Sequence, residues 1–110
     1  MAQKPESLFK KRVARDLKKL PRTWFVKIQQ VSIRGIPDYL VCLGGRFVAI
    51  ELKAERGSYL HPLQEWTLKE IAQSDGLSFI AYPDNWDNIF DTLEHLAKEG
   101  SDYDRVEREN

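Results

Sequence analysis

The dipeptide Gly44-Gly45 constrains the fold of this chain more strongly than any other feature of the sequence. It separates two apolar segments, Tyr39–Leu43 and Arg46–Lys53. A two-residue loop in which both residues have positive φ is a type I′ turn, and this turn joins adjacent antiparallel strands. We therefore predict a β-hairpin here, with a register in which the numbers of opposing residues sum to 89.

Hydrophobic periodicity assigns the remaining segments to helices and strands. Helices are predicted at Glu6–Leu20, at Pro62–Ser74 and after a capping Asp84, the last with a buried face of Ile89, Phe90, Leu93, Leu96 and Ala97. Further strands are predicted at Trp24–Gln30 and Ser78–Tyr82. The order α-β-β-β-α-β-α is typical of one α/β domain, with a small mixed sheet flanked by helices. We expect it to span residues 1–100, and the acidic residues 101–110 to form a flexible tail.

The composition excludes several classes of protein. A single cysteine among 110 residues cannot form an internal disulfide, and two histidines are too few for a zinc site of the usual spacing. We interpret Cys42 as a small core residue. No apolar stretch, Phe47–Ile50 included, approaches the ~20 residues that span a bilayer. No signal peptide is predicted, so a cytoplasmic protein is expected.

The net charge of zero conceals a strong asymmetry along the chain. Residues 1–34 contain ten Lys or Arg against two Asp or Glu, whereas residues 75–110 contain three against ten. A local basic surface attracts polyanions whatever the distant charge, so the N-terminal region is a candidate for contact with a phosphate backbone. A solvated helix face is the alternative interpretation. The candidate basic residues are Lys10, Lys11, Arg12, Arg15, Lys18, Lys19, Lys27 and Arg34.

The predicted hairpin register brings two carboxylates together. It places Asp38 directly opposite Glu51, and opposing residues have Cβ atoms ~5 Å apart. Lys53 lies two residues beyond Glu51 and therefore points to the same face. Two such carboxylates repel each other unless a proton or cation lies between them, and hard oxygen ligands favour magnesium or manganese. Taken singly, Asp38 is equally consistent with a turn residue and Glu51–Lys53 with a solvent-facing pair.

Two further polar residues accompany this pair. Glu6 precedes Phe9 by three residues, which places it at the head of the apolar stripe of the first helix. A favourable charge at a helix N-terminus is the alternative role for Glu6. Gln64, in the first turn of the second helix, supplies a neutral group that can orient a water molecule or a phosphate.

These residues, in their order and spacing, resemble a known nuclease signature. Gly35-Ile36-Pro37-Asp38 followed by Glu51-Leu52-Lys53 resembles the PD-(D/E)XK signature. Together with Glu6, the Gly-Gly hairpin and Gln64, it resembles the VRR-NUC (virus-type replication-repair nuclease) branch, over about residues 6 to 97. The chain departs from that pattern at His61, where the family often has Ser or Thr before proline. His61 either contacts a phosphate or caps the helix less well.

The resemblance implies metal-dependent hydrolysis of phosphodiester bonds in DNA, with a catalytic set of Glu6, Asp38, Glu51, Lys53 and Gln64. In that family a Mg²⁺ or Mn²⁺ ion would be held by Asp38, Glu51, the backbone carbonyl of Leu52 and, directly or through water, Glu6. Lys53 would position the nucleophile or stabilise developing charge on the phosphate.

The resemblance also implies partners and a setting. It implies a homodimer that cuts four-way (Holliday) junctions, as in family members that consist of this domain alone. The expected setting is a bacterial cell or a phage-infected host. A nicking, flap or single-strand nuclease, and a non-catalytic nucleic-acid-binding module, are the alternatives. No membrane or nucleotide cofactor is expected. Candidate aromatic residues for a dimer interface, each of which could equally be a core residue, are Tyr59, Trp66, Trp86 and Tyr103.

Overall fold

The structure, a computed structural model, describes residues 4–29 and 34–99. Its elements are α1 Pro5–Leu17, β1 Thr23–Lys27, β2 Tyr39–Leu43, β3 Arg46–Leu52, α2 Pro62–Gln73, β4 Leu77–Ala81 and α3 Trp86–Lys98. This order confirms the predicted α-β-β-β-α-β-α arrangement. The predicted boundary between the domain and its tail lies outside the described residues. Within them, no helix is long and apolar enough to cross a membrane.

The hairpin of β2 and β3 has the predicted register. Gly44 and Gly45 have φ values of 55° and 88°, as a type I′ turn requires. Leu43 pairs with Arg46, and the antiparallel register continues to the other end of β2. β1 pairs with β2 in the antiparallel direction, and β4 joins the other side of β3 in the parallel direction. The result is a four-stranded mixed sheet in the order β1-β2-β3-β4.

One face of the sheet forms the hydrophobic core with α1 and α3. Alternate residues of the two central strands point into it, because successive side chains of a strand face opposite sides. The large, fully buried side chains of these strands are Val41, Leu43, Val48 and Ile50. Helix α1 contributes Phe9, Val13 and Leu17, and α3 contributes Ile89, Leu93 and Ala97. The apolar face predicted for α3 is therefore confirmed, with Phe90 and Leu96 partly buried against the same core.

The opposite face of the sheet is covered only in part. Helix α2 packs beside β4, where Ser78 Oγ donates a 2.7 Å hydrogen bond to the carbonyl of Leu68. Over β1 and β2 the same face exposes apolar side chains, including Trp24. Cys42 also lies on this face and is exposed. The interpretation of Cys42 as a core residue is wrong, because in β2 the alternate positions Val41 and Leu43 are the ones that point into the core.

The predicted capping of α3 by Asp84 is also wrong. The helix begins at Trp86 with Asn85 as its N-cap residue, and no side chain caps it. The Asp84 carboxylate instead accepts hydrogen bonds from Arg56, at 2.8 Å from Nη2 and 3.1 Å from Nε. A two-point contact with a guanidinium competes successfully with capping because both groups are charged.

A buried carboxylate joins α1 to α3. Asp16 is 7% exposed and accepts a 2.8 Å hydrogen bond from Trp86 Nε1. Burial acts to raise the pKa of Asp16, but hydrogen bonds from Trp86 and Arg15, with the charges of Arg15 and Lys19, outweigh it and lower the pKa. Ionised Asp16 therefore stabilises the fold above the ordinary pKa of an aspartate. This stabilisation is lost as the pH falls through the lowered pKa of Asp16.

We expect Trp86→Phe to lower the free energy of unfolding by about 2 kcal/mol, because it removes the indole donor and opens a cavity in the core. Urea denaturation at pH 7 measures the change. In a double-mutant cycle with Asp16→Ala, the two losses should be less than additive, since both variants break the same hydrogen bond. Fully additive losses would show that the bond does not couple the helices.

Candidate active site

Asp38 and Glu51 meet where the hairpin register predicts. Asp38 immediately precedes β2, and its carbonyl accepts a 2.8 Å hydrogen bond from the amide of Ile28 at the end of β1. Its side-chain Oδ2 accepts a 2.7 Å hydrogen bond from the backbone amide of Leu52. This bond crosses from the start of β2 to the end of β3, and it fixes the Asp38 carboxylate beside Glu51.

Glu51 is a buried carboxylate with an unsatisfied oxygen. The residue is 3% exposed, and its Oε1 has no hydrogen-bond donor. Its Oε2 accepts a 2.6 Å hydrogen bond from Gln64 Nε2 and lies 3.3 Å from Lys53 Nζ. Burial, followed by the charge of Asp38 and a hydrogen bond with it, raises the pKa of Glu51 to about 7, and Lys53 only partly offsets this.

Helix α2 supplies the third side of the site. Gln64 Oε1 accepts hydrogen bonds from Lys53 Nζ at 3.4 Å and from the backbone amide of His61 at 3.1 Å. The Nδ1 atom of His61 in turn accepts from the amide of Leu63 at 3.1 Å, so the two side chains form a complete capping box. His61 thus supplies the cap for which the family often uses a hydroxyl. The box also holds the Gln64 side chain against Glu51.

The turn before Asp38 packs against the start of α2. Gly35 has a φ of +82°, which a residue with a Cβ rarely adopts. A Cβ at this position would lie 2.7 Å from the carbonyl oxygen of Leu63, so the close approach also requires glycine. The Gly-x-Pro-Asp turn and the Gln64 helix are therefore held together by direct backbone contact.

We expect Gly35→Ala to lower the free energy of unfolding by about 2 kcal/mol more than Gly57→Ala does. Gly57 is a matched control because its φ is +86° and nothing lies within 4 Å of its Cβ position. Both variants have the same backbone strain, whereas only Gly35→Ala pushes α2 away. Thermal or urea denaturation of the two variants gives the comparison. Equal losses would mean that the contact with Leu63 contributes nothing.

Glu6, the remaining residue of the predicted catalytic set, is not part of this cluster. Glu6 is exposed in the first turn of α1. Across residues 4–29 and 34–99, no three His, Cys, Asp or Glu side chains come close enough to hold a metal ion. The structure therefore brings together Asp38, Glu51, Lys53 and Gln64 but does not add Glu6 to them. The role of Glu6 as a further ligand stays a prediction.

The predicted basic surface is divided. Several side chains of α1 and of the turn after it are engaged in ion pairs: Arg12 with Asp87, and Arg15 and Lys19 with Asp16. Others are exposed, namely Lys10, Lys11, Lys18, Lys27 and Arg34. Because α1 packs on the core face, its cations are not neighbours of the carboxylate pair. Lys27 pairs with Tyr39 in the register and therefore lies at the same end of the sheet as Asp38.

The donor atoms fit a divalent cation. Asp38 and Glu51 present hard carboxylate oxygens on one face of the sheet, and Glu51 Oε1 has no other partner. A cation beside this oxygen would remove the repulsion that raises the pKa of Glu51. The arrangement can therefore hold one metal ion and place an ammonium group, Lys53 Nζ, next to it.

Comparison with known proteins identifies the fold of this chain. No family model matches the chain, and no curated protein matches its sequence. A solved structure described as a "VRR_NUC domain protein" matches with a TM-score of 0.64 at 18% identity, covering 92% of this chain and 94% of that chain. The chain has the VRR-NUC fold. The fold and the resemblance expected from the motifs are thus confirmed.

Within the VRR-NUC fold, sequence reasoning missed one link of the site. The hydrogen bond from the Leu52 amide to Asp38 joins the two acidic segments through the backbone. No side-chain pattern indicates such a bond. The capping box, by contrast, had a detectable signal, because His61 and Gln64 are three residues apart at the start of a predicted helix.

Proposed function

We propose that this chain is a metal-dependent, structure-selective DNA endonuclease that hydrolyses phosphodiester bonds. The observation that carries the proposal is the pair of the half-buried Asp38 and the buried Glu51 on a VRR-NUC fold, with one Glu51 oxygen lacking any donor. A protein that only binds nucleic acid gains nothing from two opposed carboxylates, since their repulsion destabilises the fold.

A Mg²⁺ or Mn²⁺ ion would be held by Asp38, Glu51 and the backbone carbonyl of Leu52, with Glu6 binding directly or through water. When bound, such an ion lowers the pKa of a coordinated water molecule and neutralises charge on the phosphate. Lys53 Nζ, 3.3 Å from Glu51, orients the water or stabilises negative charge on the phosphate oxygens. Gln64 orients both groups, because it donates to Glu51 and accepts from Lys53.

DNA would be held by contacts to its backbone. Lys27 and Arg34 are exposed at or near the end of the sheet that carries Asp38, and these cations suit the phosphates next to the scissile one. The exposed Lys10, Lys11 and Lys18 lie apart from the carboxylate pair and would contact only a more distant part of the DNA. Phosphate contacts carry no sequence information, so selectivity for DNA structure follows more naturally than selectivity for sequence.

We take the four-way junction as the substrate and a homodimer as the active form. One catalytic site cuts one strand, and two sites related by a two-fold axis match the symmetry of a junction. The alternatives, a nickase or an enzyme for flaps or single strands, need only one site.

The test is cleavage of labelled four-way junction, flap, duplex and single-stranded DNA with Mg²⁺ or Mn²⁺, using wild type and Asp38→Asn. Paired symmetric incisions on the junction, absent from the variant, support the proposal in full. Faster cutting of flaps, duplex or single strands replaces the junction with that substrate. Tight DNA binding without metal-dependent cleavage of any substrate would overturn the nuclease assignment in favour of a binding module.

A further inference from the structure

A second charged cluster lies at the same end of the sheet as the carboxylate pair, on the side of β4. Strands β3 and β4 run parallel, so both end here. The amide of Lys53 donates a 2.9 Å hydrogen bond to the carbonyl of Ala81, the last residue of β4. The turn that follows β3 and the segment that follows β4 are therefore neighbours. The cluster, which we name the Arg56 cluster, consists of Arg56, Tyr82 and Asp84.

A tight turn presents Arg56 beside the catalytic site. The amide and the hydroxyl of Ser58 donate hydrogen bonds of 3.1 and 2.6 Å to the carbonyl of Glu55. Gly57, the third residue of this turn, has a φ of +86°, as a type II turn requires. Arg56 therefore occupies the second position of a closed turn, three residues after Lys53.

Two neighbours hold the Arg56 guanidinium in one orientation. Its Nε and Nη2 donate to the Asp84 carboxylate at 3.1 and 2.8 Å, and its central carbon lies 4.2 Å from the centre of the Tyr82 ring. The third nitrogen, Nη1, has no partner among residues 4–29 and 34–99. The side chain is 61% exposed. Nη1 therefore offers two oriented N–H donors to a ligand in solvent.

The position of these donors favours a phosphate as their ligand. The strands lie in the order β1-β2-β3-β4, with the carboxylate pair between β2 and β3. Lys27, at the end of β1, lies on one side of this pair, and Arg56 lies on the other. Cations on both sides of the cutting site fit a nucleic-acid backbone that crosses the end of the sheet. Asp84 contacts the Nε–Nη2 edge of the guanidinium and so leaves Nη1 free for this contact.

We infer that Arg56 binds the DNA phosphate next to the scissile one, on the β4 side of the catalytic site. Neighbouring strands are ~4.8 Å apart, so a turn beyond β3 and β4 borders the carboxylate pair directly. Asp84 and Tyr82 are positioning residues in this arrangement. They hold the guanidinium before DNA binds, which reduces the side-chain entropy lost on binding. The inference rests on the proposed function, since it takes DNA as the ligand.

The first experiment measures the salt dependence of DNA binding for wild type and Arg56→Ala. Fluorescence anisotropy of a labelled duplex and a labelled four-way junction, in calcium, gives the affinity at several NaCl concentrations. Arg56→Ala should weaken binding on the order of tenfold at ~0.1 M salt. The slope of log affinity against log salt should become less steep by about 0.9, because one phosphate contact fewer releases one counterion fewer.

Arg46→Ala is the matched control. Arg46 is an arginine of similar exposure that pairs with Glu99 at 3.5 Å, and it lies at the opposite end of β3. The control removes the same charge from the chain, so it corrects for the effect of net charge on DNA binding. It should leave the slope unchanged. Circular dichroism verifies that each variant is folded, as expected when only a surface ion pair is removed.

Asp84→Asn separates phosphate binding from a purely structural role of the ion pair. The alternative is that Arg56 only docks its turn onto the end of β4. In that case Arg56→Ala and Asp84→Asn should lower the affinity equally, and neither should change the slope. If Arg56 contacts a phosphate, Asp84→Asn keeps the cation and should retain the wild-type slope.

The second experiment locates the contact on the DNA. Single phosphates around the cleavage position are replaced, one at a time, by uncharged methylphosphonate. Wild type should lose affinity at each phosphate that it contacts. At the phosphate bound by Arg56, immediately beside the scissile one, Arg56→Ala should lose nothing further, because the contact is already missing.

The inference is overturned if Arg56→Ala keeps the wild-type slope, if Arg46→Ala changes the slope equally, or if wild type binds no DNA. It is also overturned if no methylphosphonate position distinguishes wild type from Arg56→Ala. Failure of the proposed nuclease is a separate result. In that case wild type binds DNA with the Arg56-dependent slope, yet cleaves no substrate with Mg²⁺ or Mn²⁺.

Discussion

Glu51→Gln is expected to lower the rate of metal-dependent DNA cleavage on the order of 10³-fold or more. Glutamine preserves the size of the side chain but removes the negative charge that a divalent cation requires. The side chain of Glu51→Gln keeps an oxygen at the same place, and Gln64 Nε2 can still donate a hydrogen bond to it. The loss should therefore come from the chemistry and not from disruption of the site. Initial cleavage rates on a labelled four-way junction, at saturating Mn²⁺ or Mg²⁺, measure the effect.

Glu55→Gln is the matched control for this variant. Glu55 is exposed in the loop directly after β3 and has no side-chain contact with the site, so cleavage should be unchanged. DNA affinity, measured by fluorescence anisotropy in calcium or without metal, should fall by less than about threefold in Glu51→Gln. If cleavage persists in Glu51→Gln, the carboxylate pair is not the metal site.

The second large effect concerns stability as a function of pH in the absence of divalent metal. Folding raises the pKa of Glu51 from its ordinary value of 4.5 to about 7 through burial and the charge of Asp38. A raised pKa means that the folded protein favours the protonated form. The favourable contribution of protonated Glu51 to the free energy of unfolding is thus complete below pH 4.5. It is lost as the pH rises to about 7. The loss corresponds to about 3 kcal/mol.

The comparison of wild type with Glu51→Gln isolates this effect, since the other titrating groups are common to both. In EDTA at pH 8 the variant should have the higher free energy of unfolding, and the difference should shrink as the pH falls toward 4.5. Urea denaturation across this pH range gives the measurement. A constant difference would show that Glu51 does not titrate above its ordinary pKa.

Adding Mn²⁺ or Mg²⁺ at pH 8 should reverse the order of stability. A ligand that binds only the folded state stabilises it by about 4.1 kcal/mol at 1,000 times its dissociation constant, which exceeds the loss of about 3 kcal/mol. Wild type should gain this stabilisation, whereas Glu51→Gln should gain little. The experiment reports on the metal site without any DNA substrate. It therefore separates a missing metal site from a wrongly chosen substrate.

Local rules predicted the centre of this molecule well. The type I′ turn at Gly44-Gly45 fixes the hairpin, and the hairpin fixes the position of Asp38 relative to Glu51. A two-residue loop allows only one register, and a shift by one residue would place the apolar residues on the wrong face. The meeting of the two carboxylates follows from these two facts.

Predictions that depended on which face is covered succeeded less well. The interpretation of Cys42 as a core residue fails because an apolar strand does not reveal that only one of its faces is covered by helices. Asp84 was assigned to a helix cap, yet Arg56 is 28 residues away in sequence and adjacent in space. Among the aromatic candidates for an interface, Trp86 is fully buried and donates to Asp16, whereas Tyr59 and Trp66 are exposed and Tyr103 lies outside the described residues.

The sequence by itself determined the order of the elements, the hairpin register and the pairing of Asp38 with Glu51, because each depends on residues close together along the chain. Only the tertiary structure decided that Glu51 is buried with a free oxygen, that Gln64 and Lys53 hold it, and that Glu6 remains exposed. It also decided which sheet face stays uncovered. Burial is a property of how helices pack on the sheet, and that packing sums weak contacts between residues distant along the chain.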